Sequence, residues 1–172
     1  MQIEKTDIPG IRVLTPKIFG DERGFFLESY NKKVFQQAGI EQEFVQDNHS
    51  KSTQGVVRGL HYQKKFPQGK LIRVIQGEVL DVIVDIRRGS PTFSRWISIL
   101  LSAENKKQVW IPGGLAHGFA VISETAELCY KATDYYHPED EAGIRWNDLQ
   151  LSIDWQVKNP ILSEKDKLLP LL

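Results

Sequence analysis

His61 sits near the end of the stretch GVVRGLHYQ (55–63), three residues after Arg58, and its imidazole is the side chain best suited to moving a proton near neutral pH. Nine residues later stands Lys70, a cation able to stabilise an oxygen that gains negative charge. His117 closes the run PGGLAH (112–117) after a Gly-Gly turn, Tyr130 lies in AELCYKAT (126–133), and Asp166 lies in LSEKDKLLP (162–170). A base, an acid and a cation, gathered around one cavity, would form a set for proton transfer. Taken singly, each has a plainer explanation. A strand histidine is most often a half-buried spacer, a lysine is usually solvated, a core tyrosine has its hydroxyl satisfied, and Asp166 suits a helix cap. The functional reading depends on whether the chain gathers them.

The elements that must do so are mostly strands. In GEVLDVIVDIR (77–87), Leu80, Val82, Val84 and Ile86 share one face and Asp81 and Asp85 the other, the period of a strand with one side in a core. WISILLS (96–102), QVWIP (108–112), GFAVIS (118–123) and AELCYKAT are further short strands, separated at close intervals by Gly, Pro, Ser and Asn, and Gln76-Gly77-Glu78 reads as a turn. This punctuation predicts an all-β, mainly antiparallel sandwich or barrel. Helix is scarce. NKKVFQQAG (31–39) reads as one, with Asn31 as N-cap, Val34, Phe35 and Ala38 on one face, and Gly39 as the stop. A second short helix begins at Ser163, where Ser163 and Asp166 match a capping box and Pro170 ends it.

Composition sets the outer limits. A chain of 172 residues with 41% hydrophobic content can bury a sizeable core, and without repeats or linkers it reads as a single domain over 1–172. Lys and Arg together number 22, as do Asp and Glu, so no net field gathers nucleic acid or an anionic membrane. An anionic ligand must be met by local cations. The lone Cys129 excludes an internal disulfide, and the charged opening MQIEKTDIPG has no apolar h-region, so a cytoplasmic protein is expected.

Two spacings narrow the fold. Gly55, His61, Gln63, Lys70 and Gly77 are similar to the first metal-binding motif of the cupin superfamily, and PGGLAH is similar to the second. The departures matter. Gln63 stands where a metal-binding cupin has its second histidine, and Lys70 stands near its glutamate. A divalent metal needs three or four donor side chains, and an ammonium is not one. The spacing points to a cupin-type double-stranded β-helix, or jelly roll, with no metal.

ERGFFLESYN, QDNHSKS, GVVRGLHYQ, QGKLIRVIQGEVLDVIVDIR, WIPGGLAHGF, YKATDYY and LSEKD then run in order over nearly the whole chain. Together they resemble the dTDP-4-dehydrorhamnose 3,5-epimerase family. The resemblance implies a cofactor-free homodimer that inverts C3 and C5 of a dTDP-linked 4-keto-6-deoxy sugar. It implies His61 as base with Asp166 as its partner, Lys70 beside O4, Tyr130 as the acid on the opposite face, and His117 against the sugar or its phosphate end. It assigns Arg23 and Arg58 to phosphates, which suits guanidinium geometry. Phe26, Glu28, Gln46, Asp47 and Asn48 would serve the nucleotide or the site, with Glu141 and Lys165 as further contacts. Alternatives are a sister activity on one carbon, a 3,4-ketoisomerase, a metal-dependent oxygenase and a silent sugar-binding module. One obstacle is internal to the pattern. Uninterrupted alternation puts Arg58 and His61 on opposite faces, so both reach one cavity only if the strand is bulged, and Gly59 is where that can happen.

Overall fold

The computed structural model describes residues 1–172. Strands β1 (Gln2–Lys5), β2 (Arg12–Thr15), β3 (Ile18–Asp21) and β4 (Gly24–Leu27) lead to helix α1 (Lys32–Gln37). β5 (Gln46–Thr53), β6 (Val57–Gln63), β7 (Lys70–Gln76), β8 (Glu78–Asp85), β9 (Trp96–Ser102), β10 (Gln108–Ile111), β11 (Leu115–Val121) and β12 (Thr125–Ala132) follow. A 3-10 turn, β13 (Glu141–Gly143) and helix α2 (Glu164–Lys167) complete the chain. β1, β2, β10, β7, β12 and β5 form one sheet in that order, and β13, β6, β11, β8 and β9 form the other. The paired strands are antiparallel, and the β3–β4 hairpin stands apart from both sheets. The fold is a cupin-type jelly roll, as expected.

Alternation along the strands builds the interior. Ile72 and Val74 from β7, Val109 and Ile111 from β10, and Ala126 and Leu128 from β12 meet Val79, Ile83, Leu115 and Phe119 of the facing sheet in the main core. A second core lies outside the five-stranded sheet, where Leu80, Val82, Val84, Ala116 and Ala120 pack on Ile144, Leu151 and Trp155. A third lies outside the six-stranded sheet, where Leu71 and Trp110 meet Phe35 of α1. Asn31 caps α1 by accepting from the Lys33 and Val34 N–H groups, as its sequence predicts.

The outer core corrects the reading of β8. Its two faces are both buried, and Asp81 and Asp85 are fully enclosed rather than facing solvent. Val79 and Ile83 share the aspartates' face, so the strand is apolar on both sides, the mark of a strand covered above and below. Asp85 is satisfied by Arg87, Ser90 and Thr92 in the loop that follows. Asp81 points into the barrel.

Candidate active site

The obstacle at β6 is resolved by its register. His117 lies opposite His61 and Phe119 opposite Arg58, so a two-residue step in β11 spans a three-residue step in β6. The extra residue restores parity, and Arg58 and His61 both face the interior. Gly59 permits this: its φ is +122°, and a Cβ there would lie 2.5 Å from Gly118 Cα and 2.8 Å from the His117 carbonyl oxygen.

The interior holds a cavity with two adjoining lobes of about 100 and 180 Å3, both lined by His61, Lys70, His117 and Tyr130. His61 and His117 come from the five-stranded sheet, Lys70 and Tyr130 from the six-stranded one. The imidazole and the phenol therefore approach from opposite walls. His61 Nε2 is 2.5 Å from Asp166 Oδ1, and Asp166 is almost fully buried. Burial draws the Asp166 carboxyl upward. The His61 bond and charge, the Ser163 hydroxyl and the Gly59 backbone N–H outweigh it and hold the group below the usual carboxylate range. The capping box is thus half formed: Ser163 Oγ accepts from the Asp166 N–H, while the Asp166 side chain turns to the histidine.

His117 has an equivalent partner that the sequence reading missed. Asp81 Oδ2 lies 2.8 Å from His117 Nε2, and its other oxygen is buried without a hydrogen bond. The available signal was Val79 and Ile83 flanking it on one face. Burial pushes the Lys70 ammonium below the ordinary lysine value, opposed by the charges of Asp81 and Glu141. Its Nζ is 5.9 Å from the Tyr130 ring centroid. Burial also pushes the Tyr130 phenol up, with Arg58 pulling the other way.

The mouth is polar. Arg58 lines the larger lobe and donates from Nε to Ser52 Oγ at 3.1 Å. Gln46 Nε2 donates to Asn48 Oδ1 at 2.9 Å, and the Asn48 amide nitrogen is buried without a partner. Glu141 accepts from the Tyr136 hydroxyl at 2.5 Å and from Lys165, and its bond pushes the Tyr136 phenol up to about 12. Burial raises the Glu141 carboxyl, but the Lys165 and Tyr136 bonds outweigh it and hold it low. Tyr136 lines the smaller lobe and was not singled out in the sequence, where it reads as one of two loop tyrosines.

Four predicted residues are not brought to this cavity by their own chain. Asp47 is corrected by alternation: it lies on the outer face of β5, bonded to Lys131 at 2.8 Å, while Gln46 and Asn48 face inward. Arg23 is paired with Asp21 on the exposed β3–β4 hairpin, together with Phe26, which is 70% exposed. Glu28 is exposed immediately after β4.

The donor set does not fit the metal of the metal-binding cupins. Both histidines engage aspartates through Nε2, Lys70 brings a cation, and the Gln63 amide is held by backbone groups of two loops.

Fold and cavity together define a cupin-type jelly roll equipped for acid–base chemistry. The family model described as dTDP-4-dehydrorhamnose 3,5-epimerase matches residues 5–172. A dTDP-4-dehydrorhamnose 3,5-epimerase of Shigella flexneri is 58% identical over 168 residues, 96% of this chain and 93% of that one. A dTDP-6-deoxy-D-glucose-3,5-epimerase from Legionella pneumophila, in complex with dTDP-4-keto-L-rhamnose, is 53% identical with a TM-score of 0.96, covering 99% of this chain and 92% of that chain. A dTDP-4-dehydrorhamnose 3,5-epimerase from Bacillus anthracis with TDP and PPi bound is 48% identical with a TM-score of 0.97, covering 99% of both chains. The chain belongs to the dTDP-4-dehydrorhamnose 3,5-epimerase family.

Proposed function

We propose that this protein inverts C3 and C5 of dTDP-4-dehydro-6-deoxy-D-glucose to give dTDP-4-dehydro-L-rhamnose, acting as one epimerase domain over 1–172. The observation that carries the reading is the opposition of His61, backed by Asp166, to Tyr130 across a cavity that also holds Lys70. Inversion at a carbon beside a ketone needs removal of a proton from one face and delivery to the other, and these two side chains come from facing sheets.

The steps follow from chemistry. Asp166 occupies Nε2 of His61, so the other ring nitrogen takes the C3 or C5 proton, and the carboxylate stabilises the imidazolium that forms. The C–H electron pair becomes a C=C bond to C4, and the carbonyl π pair moves onto O4. Lys70 faces that oxyanion, and a buried ammonium acts there more strongly than in water. The Tyr130 hydroxyl then protonates the carbon from the other side, the C=O re-forms, and solvent takes the proton from the His61 imidazolium and returns one to the phenolate. Burial disfavours that phenolate and Arg58 offsets the cost. His117, held by Asp81, contacts the sugar.

Arg58 binds phosphate, and the unpartnered Asn48 amide beside Gln46 meets the nucleotide. Glu141 and Lys165 contact the substrate at the rim. A homodimer accounts for three of the four residues left outside the cavity. The hairpin pairs Phe19 with Phe26 on one face, at 52% and 70% exposure, an apolar surface that a second copy would cover. Arg23, Phe26 and Glu28 of one copy then serve the cavity of the other. No helix is long and apolar enough to cross a membrane. We assign the protein to the cytoplasm, and 22 basic against 22 acidic residues leave no net field for a nucleic-acid or membrane partner.

Direct measurement of epimerisation tests the assignment: dTDP-4-dehydro-6-deoxy-D-glucose should be converted to dTDP-4-dehydro-L-rhamnose, detectable by NMR, in the presence of excess chelator. A requirement for a stoichiometric metal contradicts it.

A further inference from the structure

Gln63 is 6% exposed at the end of β6 and shares a face with His61, in the position where a metal-binding cupin has a histidine. A buried amide must have its donors and acceptor satisfied. Here all the partners are backbone groups. Its Oε1 accepts from the His137 N–H at 2.8 Å, and its Nε2 donates to the carbonyls of Phe66 at 2.6 Å and Tyr135 at 3.3 Å. Two of the three bonds flank Tyr136 on either side.

Tyr136 is otherwise held lightly. It is 49% exposed, its N–H donates to Gln46 Oε1 at 3.0 Å, and its hydroxyl donates to Glu141. Both of those partners are among the residues read above as substrate contacts, so a ligand that recruits them loosens the tyrosine. Gln63 bonds only backbone groups and is independent of such exchange. The two loops it joins are also tied by Asp140, whose Oδ2 accepts from the Lys65 and Phe66 N–H groups at 2.8 and 2.9 Å. Those bonds lie away from Tyr136. Asp140 therefore provides an internal control.

We infer that Gln63 is a positioning residue that holds Tyr136 over the mouth of the cavity, and so sets affinity for the nucleotide sugar without taking part in proton transfer. The inference deepens the epimerase reading and rests on it for the identity of the ligand. Gln63→Leu leaves the His137 N–H and the Tyr135 carbonyl unpaired on either side of Tyr136, and the Phe66 carbonyl unpaired in the neighbouring loop, which frees the ring from its place.

The test measures kcat and KM for dTDP-4-dehydro-6-deoxy-D-glucose, and Kd for dTDP by calorimetry, in the intact chain. Gln63→Leu and Tyr136→Ala should each raise KM and Kd about tenfold, a loss of about 1.4 kcal/mol, while kcat stays within about threefold of wild type. The double variant should be no weaker than Tyr136→Ala alone, because both act through one ring. Gln63→Met removes the same three bonds while keeping the length and nearly the volume of glutamine. It should match the leucine variant, and it decides the matter if the leucine variant does not fold. Asp140→Asn should lower the melting temperature without the KM effect. A fall in kcat at unchanged KM, or effects of Gln63 and Tyr136 that multiply, overturns the inference. A wild-type chain that binds dTDP but does not epimerise removes the epimerase reading and leaves the Kd comparison to decide the role of Gln63. A chain that binds no dTDP removes both.

Discussion

At the scale of single residues, His61 and Tyr130 have separable consequences. His61→Asn removes the proposed base, so solvent exchange and inversion should both fall by about 10²–10⁴-fold at either carbon, measured by NMR. Tyr130→Phe leaves the base in place. Exchange on the His61 side should persist while net inversion falls, and equal loss of both would contradict the division of roles. Asp166→Asn tests the backing carboxylate by its pH dependence. The folded-state value of this group is held below its ordinary one, so its stabilising contribution is complete above the usual aspartate range and is lost as pH falls through the folded value. The unfolding free energy of wild type, measured by urea denaturation, should therefore exceed that of the variant near neutrality by about 1.5–3 kcal/mol for a charge-assisted hydrogen bond, with the gap closing in acid. A gap that persists unchanged at low pH contradicts the assignment of charge. His61, Lys70 and His117 were legible because a cupin-like spacing ties them together. Asp81 was not, because its alternation partners in a polar reading are the same residues that bury it in a closed barrel.

The element that decides the site is β6. Without the register shift against β11, Arg58 and His61 would face opposite ways and the cavity would lose one of them. Gly59→Ala introduces a Cβ against Gly118 and His117 at a positive φ. It should destabilise the protein by roughly 3 kcal/mol or more, since backbone strain and overpacking each cost about 1–3 kcal/mol, and urea denaturation will measure it. A loss below about 0.5 kcal/mol would mean that the strand relaxes freely. The sequence marked Gly59 as the place for a bulge through parity alone. It marked the short strands by their glycines and prolines, and α1 by Asn31 and Gly39. It could not reveal the outer layer at 144–155 that covers the five-stranded sheet, because those contacts join segments distant in sequence and have no period of their own. The Gln63 clamp was hidden for the same reason: its partners are backbone groups of another loop.

At the scale of the whole molecule, the exposed hairpin and the place of Arg23, Phe26 and Glu28 outside the cavity are two sides of one proposal. Sedimentation equilibrium should give twice the 19.7 kDa chain mass, and a monomer at micromolar concentration would contradict the dimer. If the hairpin serves the partner, co-expressed Arg23→Ala and His61→Asn chains should regain about a quarter of wild-type activity, since half the dimers then hold one intact site. Mixtures as inactive as either parent would leave Arg23 without that role. The central claim is that one base, one acid and one oxyanion contact serve both carbons beside the ketone. Incubation with dTDP-4-dehydro-6-deoxy-D-glucose in deuterated water, followed by NMR of the sugar, tests it most directly. Deuterium should enter at both C3 and C5, because each inversion returns a proton that has mixed with solvent, and C3 and C5 flank the same C4 oxygen facing Lys70. Label confined to one carbon, or migration of the ketone to C3, would contradict the account.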